Sequence, residues 1–264
     1  MNDPTPLLPP RPPRRPWPIA TALLGVLGVA ALAAGLAVPA FSEVAATPAP
    51  TAAPVTPAPS RTPLVAASSA PGIGEVPIDE LADPDWIDRV AASAGIPARA
   101  LAAYAGAALA VSRSAPECGL GWNTLAAIGL VETEHGSMNG AVLRADGTVA
   151  PAIIGRPLDG NGTEVVRDTD RGAVDGDTTW DRAVGPMQFI PSTWALAGRD
   201  GNRDGVTDIN QIDDAALAAA EHLCEVGGDL TRPENWIAAV HAYNPSVEYN
   251  NRVAAAATQY AAVR

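Results

Sequence analysis

Lysine is absent from this 264-residue chain: all 17 basic residues are arginines, set against 29 acidic residues, and the net charge is −12. A body this acidic repels phosphate groups, which favour basic protein surfaces. It also gains nothing from a charged face laid on anionic lipid. The composition therefore argues against a nucleic-acid partner and against electrostatic adhesion to a membrane.

Histidine is also scarce, and the chain has only two cysteines. His135, His222 and His241 do not have the spacing of a zinc site, and two cysteines provide too few ligands for a metal. A metallohydrolase is therefore disfavoured. We expect no organic cofactor.

One long hydrophobic segment lies near the N-terminus. Ile19 to Phe41 contains no charged residue, and as a helix it would reach roughly 35 Å, enough to cross a bilayer. Arginines precede it, so the positive-inside rule places residues 1–18 in the cytoplasm and predicts a single-pass membrane protein with its domain outside. The alternative is a cleaved signal peptide ending at Val38–Pro39–Ala40, which would give a secreted domain. Both interpretations export the domain.

Residues 42–75 consist largely of alanine, proline, threonine and serine. Such a segment cannot bury enough apolar surface to fold, and its prolines keep it extended. At about 3.1 Å per residue it would hold a following domain roughly 100 Å from the membrane. That reach suits a target in the cell wall.

The two cysteines, Cys118 and Cys224, are predicted to form a disulfide. In an exported protein, an even pair of cysteines most simply means a disulfide bond. It would close a loop of about a hundred residues, which contributes at most about 4 to 5 kcal/mol in the chain-entropy model. Two buried free thiols are the alternative.

Residues 76–264 are typical of one helical domain. Asp83 is placed to cap a first helix, with Pro84 at its first position, and Gly95 is placed to end it. Further helices are predicted at Pro97–Arg113, Trp122–Glu134, Ser192–Ala197, Asp213–Val226, Thr231–His241 and Ser246–Tyr260.

The segment between the third and fourth predicted helices is irregular and rich in glycine and aspartate. Residues 137–183 are too long for an ordinary connection, which suggests a function, and they hold at most a small hairpin within 141–167. Gly136 is expected to stop the helix before them. The predicted fold class is all-α, or α+β at most.

Glu132 is the strongest candidate for a catalytic group. On a helical wheel it falls among Leu125, Ile128 and Gly129, whereas Glu134 points the opposite way. A carboxyl group on an apolar surface resists ionisation, so its pKa rises towards that of a useful general acid. The alternative is a solvated glutamate near a helix end.

Three motifs, in this order along the chain, resemble those of the membrane-bound B-type lytic murein transglycosylases. Gly129–Gly136 is similar to the family's motif around its catalytic glutamate. Gly185–Ser192 is similar to the motif that forms part of the glycan groove, and Ala242–Asn244 is similar to the third motif, a Tyr-Asn pair. The resemblance covers about residues 80–264 and implies a lysozyme-like fold.

The resemblance also implies a reaction and a set of site residues. The enzyme would cleave the β-1,4 bond between N-acetylmuramic acid and N-acetylglucosamine in peptidoglycan, with Glu132 as acid and then base, to give a 1,6-anhydro product. Substrate-binding roles carry over to Gln188, Tyr243 and Asn244, and Met187 would belong to the groove wall. We expect a monomer, with peptidoglycan strands as its partner.

Two features depart from the family pattern. His135 stands where an aromatic residue often follows the catalytic glutamate, and the segment before the second motif is full of acids. A second carboxylate facing the groove could activate water and make the enzyme a hydrolytic muramidase. The candidates for that carboxylate are Asp168, Asp170, Asp175, Asp177 and Asp181. A catalytically silent wall-binding scaffold is a further alternative.

A calcium loop is predicted after the second motif. Its sequence follows the start of an EF-hand loop, and the family resemblance includes a calcium loop at this place. The predicted ligands are Asp200, Asn202, Asp204, Val206 and Asp208. The twelfth position is Gln211 instead of glutamate, so Asp213 or Asp214 would have to supply that ligand. Calcium would brace the segment behind Gln188, and a loop that binds nothing is the alternative.

Overall fold

A computed structural model describes residues 76–263 of the chain. This part contains seven α-helices: α1 Pro84–Ala94, α2 Ala98–Ser114, α3 Trp122–Thr133, α4 Pro191–Ala197, α5 Ile212–Gly227, α6 Pro233–Tyr243 and α7 Val247–Ala261. Its strands are short: β1 Val142–Leu143, β2 Val149–Ala150, β3 Ile154–Pro157 and β4 Arg182–Val184. The predicted all-α class with at most a small β component is confirmed. The predicted membrane segment and linker lie outside the described residues.

Local signals set the ends of the first helix as predicted. The Asp83 side chain accepts a hydrogen bond from the Trp86 backbone nitrogen at 2.8 Å, and Pro84 occupies the first turn. Gly95 ends α1 with φ at 69°, in the left-handed region that favours glycine. The predicted start of α6 was early, because this helix begins at Pro233.

Helix α3 is largely buried in the core. Every residue from Trp122 to Gly129 is buried, and α3 packs between α2 and α7. Buried residues lie all around this helix, so the predicted single apolar stripe understates its burial. Gly129 lets α2 approach closely, because a Cβ at this position would lie 2.0 Å from the hydroxyl oxygen of Tyr104.

Covalent and ionic links hold the helices together. Cys118, in the α2–α3 connection, forms a disulfide with Cys224 of α5, which confirms the predicted pairing. Arg99 of α2 forms a bidentate ion pair with the fully buried Asp213 of α5, with Nη1 and Oδ1 2.8 Å apart. Since a buried carboxylate is costly without a partner, this pair fixes how α2 and α5 pack.

The segment between α3 and α4 contains two small antiparallel sheets. β1 and β2 form the predicted hairpin within 141–167. The second pair was not foreseen, because β3 pairs with β4, which lies beyond that range. Within residues 76–263 no single helix has the length and hydrophobicity to cross a membrane; α1 and α2 meet that test only as a pair bent by 118°.

Candidate active site

Glu132 lies in the last turn of α3, where the buried helix reaches the surface. Its side chain is half-buried, and Oε1 accepts a hydrogen bond from the Tyr249 hydroxyl at 2.7 Å. Burial raises the pKa of Glu132 to about 7, although the Tyr249 hydrogen bond and the positive charge of Arg252 act to lower it. A substantial fraction of these carboxyl groups therefore carries a proton at neutral pH. Glu134, two residues later, is exposed, as the helical wheel predicted.

The chain leaves α3 through three successive left-handed residues. Glu134, His135 and Gly136 have φ values of 52°, 60° and 82°. The helix therefore ends at Thr133, three residues before Gly136, the predicted stop. The turn is held in part by a bond from the His135 backbone nitrogen to the Gly129 carbonyl at 2.9 Å.

Thr133 joins this helix end to the second motif. Its hydroxyl donates to the Pro186 carbonyl at 2.7 Å and accepts from the Gly136 backbone nitrogen at 2.9 Å. The side chain is fully buried, so these bonds are shielded from water. The first two motifs, about fifty residues apart in sequence, are therefore in direct contact.

His135 lies behind the helix end, between two phenols. Its Nδ1 is 3.3 Å from the Tyr104 hydroxyl and its Nε2 is 3.1 Å from the Tyr260 hydroxyl. Burial lowers the pKa of His135 to about 4, so the imidazole is neutral at pH 7. One ring nitrogen then donates and the other accepts. The histidine fills this position as a polar core residue, packed against both tyrosine rings.

The second motif forms a tight turn between β4 and α4. Gly185 has φ at 81°, and a Cβ there would lie 2.0 Å from the Ile209 carbonyl oxygen, so glycine is required. Gln188 is also left-handed, with φ at 50°, and its Nε2 donates to the carbonyls of Gly185 and Ile153. The Met187 side chain is fully buried and packs the turn from behind, so it lies out of reach of a substrate.

The third motif meets the second through its tyrosine. The Tyr243 hydroxyl donates to the Met187 carbonyl at 2.7 Å. Burial and then the nearby charge of Glu132 raise the pKa of Tyr243 well above its usual range. Asn244 ends α6, and its Oδ1 accepts from the Ser246 backbone nitrogen at 3.0 Å. All three motifs therefore converge around Glu132, and Asn244 also shapes the corner between α6 and α7.

Tyr249 and Arg252, both on α7, were missed by sequence reasoning. Tyr249 begins the buried stripe of α7, which continues at Val253, Ala257 and Tyr260. That periodicity shows that Tyr249 faces the core. It does not show that the core neighbour is the end of α3, because this contact joins residues separated by more than a hundred positions.

The aspartates before the second motif hold their own loop. Each of the five candidates accepts at least one backbone N–H bond from the segment itself: Asp168, Asp170, Asp175, Asp177 and Asp181. The oxygens of Asp168, Asp170 and Asp181 lie within 4.8 Å of one another. These carboxylates make the bonds of a compact polar loop, and nothing in their contacts directs one towards Glu132.

The predicted calcium loop has the turn of an EF-hand and one carboxylate oxygen that lacks a partner. Gly205 has φ at 86°, and Asp200 Oδ2 accepts from the Gly205 backbone nitrogen at 3.1 Å. Asp200 Oδ1 is buried and has no hydrogen bond among the described residues. An orphaned carboxylate oxygen inside a loop of oxygen-bearing residues fits a hard cation.

The twelfth ligand is not supplied as an EF-hand would supply it. Gln211 turns away, because its Nε2 donates to the Asp146 carbonyl at 2.7 Å. Asp213 is occupied by Arg99. Asp214 accepts backbone bonds from Gly201 and Asp208, so it ties both ends of the loop to α5.

A comparison with protein-family models identifies a family for this chain. The model of the transglycosylase SLT domain matches residues 85–259, which is more than half of the chain and includes most of α1, all three motifs and most of α7. Searches of curated proteins and of solved structures found no significant match. The family match supports the predicted lysozyme-like class.

Proposed function

Because the chain belongs to the transglycosylase SLT domain family, a family of peptidoglycan lytic transglycosylases, we propose that it cleaves the β-1,4 bond between N-acetylmuramic acid and N-acetylglucosamine. The product would be a 1,6-anhydromuramoyl end. The observation that carries this proposal is the half-buried Glu132, whose pKa burial raises to about 7, at the junction of the three motifs. The three motifs also make the membrane-bound B type the best candidate subfamily.

In the first step Glu132 acts as the acid. Its carboxyl proton passes to the glycosidic oxygen while the bond from C1 to that oxygen breaks. The acetamido oxygen at C2 of the same sugar bonds to C1 and takes up the positive charge. A carboxyl group that is still protonated near pH 7 meets the requirement for such an acid.

In the second step the Glu132 carboxylate acts as the base. It takes the proton of the C6 hydroxyl as O6 bonds to C1, and the bond from C1 to the acetamido oxygen breaks. The proton is returned to Glu132 and no water is consumed. One carboxyl group is enough for both steps, whereas hydrolysis at this centre would use a second carboxylate.

The neighbours of Glu132 have separable roles. Tyr249 orients the carboxyl group through its 2.7 Å hydrogen bond. Tyr243 holds the second motif in place through the Met187 carbonyl. The Gln188 Oε1 and the Asn244 Nδ2 make no hydrogen bond among the described residues, so one acceptor and one donor remain for the sugar. We therefore propose that Gln188 and Asn244 bind the substrate.

The hydrolytic alternative receives less support. It needs a second carboxylate at the groove, and the five candidate aspartates are engaged by backbone N–H groups of their own loop. The scaffold alternative leaves the desolvated carboxyl group without a purpose. Since burying an ionisable group costs stability, its retention favours catalysis.

We also propose that the 200–208 loop binds Ca²⁺ as a structural ion. Asp200, Asn202, Asp204 and Asp208 would hold it through side-chain oxygens, and Val206 through its backbone carbonyl. When bound, the ion would neutralise this acidic loop and brace the segment that leads to α5. Residues 19–41 would anchor the protein in the cell membrane, with the domain outside, unless they are a cleaved signal.

The test is digestion of purified peptidoglycan by the full-length protein in mild detergent, with mass spectrometry of the soluble products. Products lighter by one water than the hydrolytic ones, absent with Glu132→Gln, are expected. Reducing-end products that depend on Glu132 would mean a muramidase. If a folded protein releases no products, the enzymatic proposal fails and the scaffold interpretation gains support.

A further inference from the structure

Arg252 is the cationic side chain next to the proposed catalytic acid. It lies three residues after Tyr249 on α7, and residues at this spacing share a helix face. Tyr249 is hydrogen-bonded to Glu132, so Arg252 lies beside the same carboxyl group, on the exposed side. The positive charge of Arg252 lowers the pKa of Glu132 and of Tyr249, which agrees with this position.

Arg252 forms no ion pair among residues 76–263, although the protein is strongly acidic. Four of the other arginines of this part form ion pairs with acids: Arg99 with Asp213, Arg182 with Asp177, Arg199 with Glu221 and Arg232 with Glu234. Arg252 is among those that form none, and its charge acts on Glu132. Glu248 precedes Arg252 by four residues, the favourable order and spacing for a helical ion pair. No such pair is found among the described ion pairs. The guanidinium group is therefore left open to a ligand.

The proposed substrate carries carboxyl groups near the cleaved bond. Each muramic acid residue bears a lactyl ether at C3 that ends in a carboxyl group, either free or extended by a peptide with carboxylates of its own. A guanidinium group binds carboxylates through paired hydrogen bonds and keeps its charge at every pH of interest. N-acetylglucosamine has no such group, so a cation here would distinguish the two sugars.

We propose that Arg252 is a specificity-determining residue that binds a carboxylate of the muramyl side chain at the cleaved bond. This inference rests on the proposed function, since it assumes that peptidoglycan lies against Glu132. It makes recognition of the muramyl residue a local contact in a protein whose net charge of −12 repels an anionic polymer as a whole.

The test compares three soluble glycans with the full-length protein. The first carries stem peptides, the second is stripped of them and has free lactyl carboxylates, and the third is the stripped glycan with its carboxylates converted to neutral methylamides. The variants are Arg252→Gln, Arg252→Lys and the matched control Arg113→Gln, which removes an exposed arginine at the end of α2.

Arg252→Gln should raise KM about tenfold or more on a carboxylate-bearing glycan, as loss of a charge-assisted hydrogen bond requires, and change kcat little. It should match the wild type on the methylamide glycan. Arg252→Lys should recover part of the loss, and Arg113→Gln should behave as wild type. An effect on the stripped glycan identifies the lactyl carboxylate, and an effect confined to the first glycan identifies the stem peptide.

Equal KM values for the wild type and Arg252→Gln on both carboxylate-bearing glycans would overturn the inference. An equal loss on the methylamide glycan would also overturn it, because the effect would then not depend on a carboxylate. If the wild type cleaves none of the three, the proposed function itself fails, and the two failures are distinguished.

Discussion

Two acidic regions of this protein shift the pKa of a carboxyl group in opposite directions. At the end of α3 a single carboxyl group is half-buried, receives one hydrogen bond and has its pKa raised to about 7. In the loop before the second motif, Asp177 accepts backbone bonds from Thr179 and Trp180, and these bonds lower its pKa. The number of acids in a region is therefore a poor guide to where an acid catalyst lies. A carboxyl group becomes a useful general acid when burial removes it from water and few hydrogen-bond donors stabilise its charge, because its pKa then rises.

The largest expected effect comes from removing the acid. Glu132→Gln keeps the size of the side chain and an oxygen for Tyr249 but has no proton to give, so we expect activity to fall by roughly 10²–10⁴-fold. Product release from peptidoglycan measures the loss, and the thermal melt checks the fold. Glu134→Gln is the matched control and should remain active. Full activity in Glu132→Gln would show that the wrong carboxyl group has been chosen.

Removing the hydrogen bond to Glu132 should have the next largest effect. Tyr249→Phe frees the carboxyl group to rotate, and we expect about a tenfold loss of kcat from the loss of a hydrogen bond to a charged group. Because this bond lowers the pKa of Glu132, its loss should also move the descending limb of the pH profile to higher pH. Tyr260→Phe is the control, since that phenol contacts His135. An unshifted limb in Tyr249→Phe would argue against direct coupling.

The wild-type pH profile gives a direct view of the raised pKa. The first step needs protonated Glu132, so kcat/KM should be level below pH 7 and fall above it, about tenfold per pH unit. An ordinary glutamate would give a descending limb near pH 4.5. Initial rates on a soluble glycan between pH 4.5 and 9 distinguish the two cases.

The raised pKa of Glu132 should also make the stability of the protein depend on pH, in a direction that can be predicted. Because folding raises the pKa of Glu132, its favourable contribution is present below the unfolded pKa and is lost as pH rises through about 7. Glu132→Gln should therefore gain in melting temperature relative to wild type as pH is raised from 5 to 9. A constant difference over this range would contradict the raised pKa.

Most of the fold could be predicted from the sequence, because the residues that set the helix ends act over only a few positions. Asp83, Pro84 and Gly95 set the ends of α1 through contacts within a few residues, and periodicity placed the other helices. Strand β4 was missed because its partner, β3, lies more than twenty residues earlier and both strands are short. Pairing at that distance leaves little trace in a single sequence.

The sequence was enough to predict the catalytic candidate Glu132, but it was not enough to predict the residues that surround it. The helical wheel placed Glu132 on the buried side and Glu134 in solvent. Glu134 is exposed although α3 ends at Thr133, one residue before it. The partner of Glu132 depends on how α7 packs against α3, so Tyr249 could not be chosen over Tyr243 from sequence. Met187 was expected at the groove wall, and its full burial shows that a turn can direct one residue inward while leaving the next, Gln188, only half-buried.

In the aspartate-rich loop, substitution should change stability and leave the chemistry intact. Asp181 is fully buried and accepts bonds from both the backbone nitrogen and the hydroxyl of Thr169. Asp181→Asn places an amide donor against one of these donors, and we expect a cost of about 2 kcal/mol. Glu164→Gln, at an exposed carboxylate of the same segment, should cost little. A change from anhydro to reducing-end products in Asp181→Asn would instead give this loop a catalytic role.

The smallest expected effect comes from calcium. It tests whether the 200–208 loop differs from the two acidic regions above by binding a cation. Unlike the loop that contains Asp181, it has a buried carboxylate oxygen without a partner, Asp200 Oδ1. Calcium at ten times its dissociation constant should add about 1.4 kcal/mol by mass action, and a chelator should remove it. Asp200→Asn should abolish the response, while Asp159→Asn, outside the loop, should keep it. If the wild-type melting temperature is the same with calcium and with chelator, the loop binds no calcium, and its aspartates serve only to hold the turn.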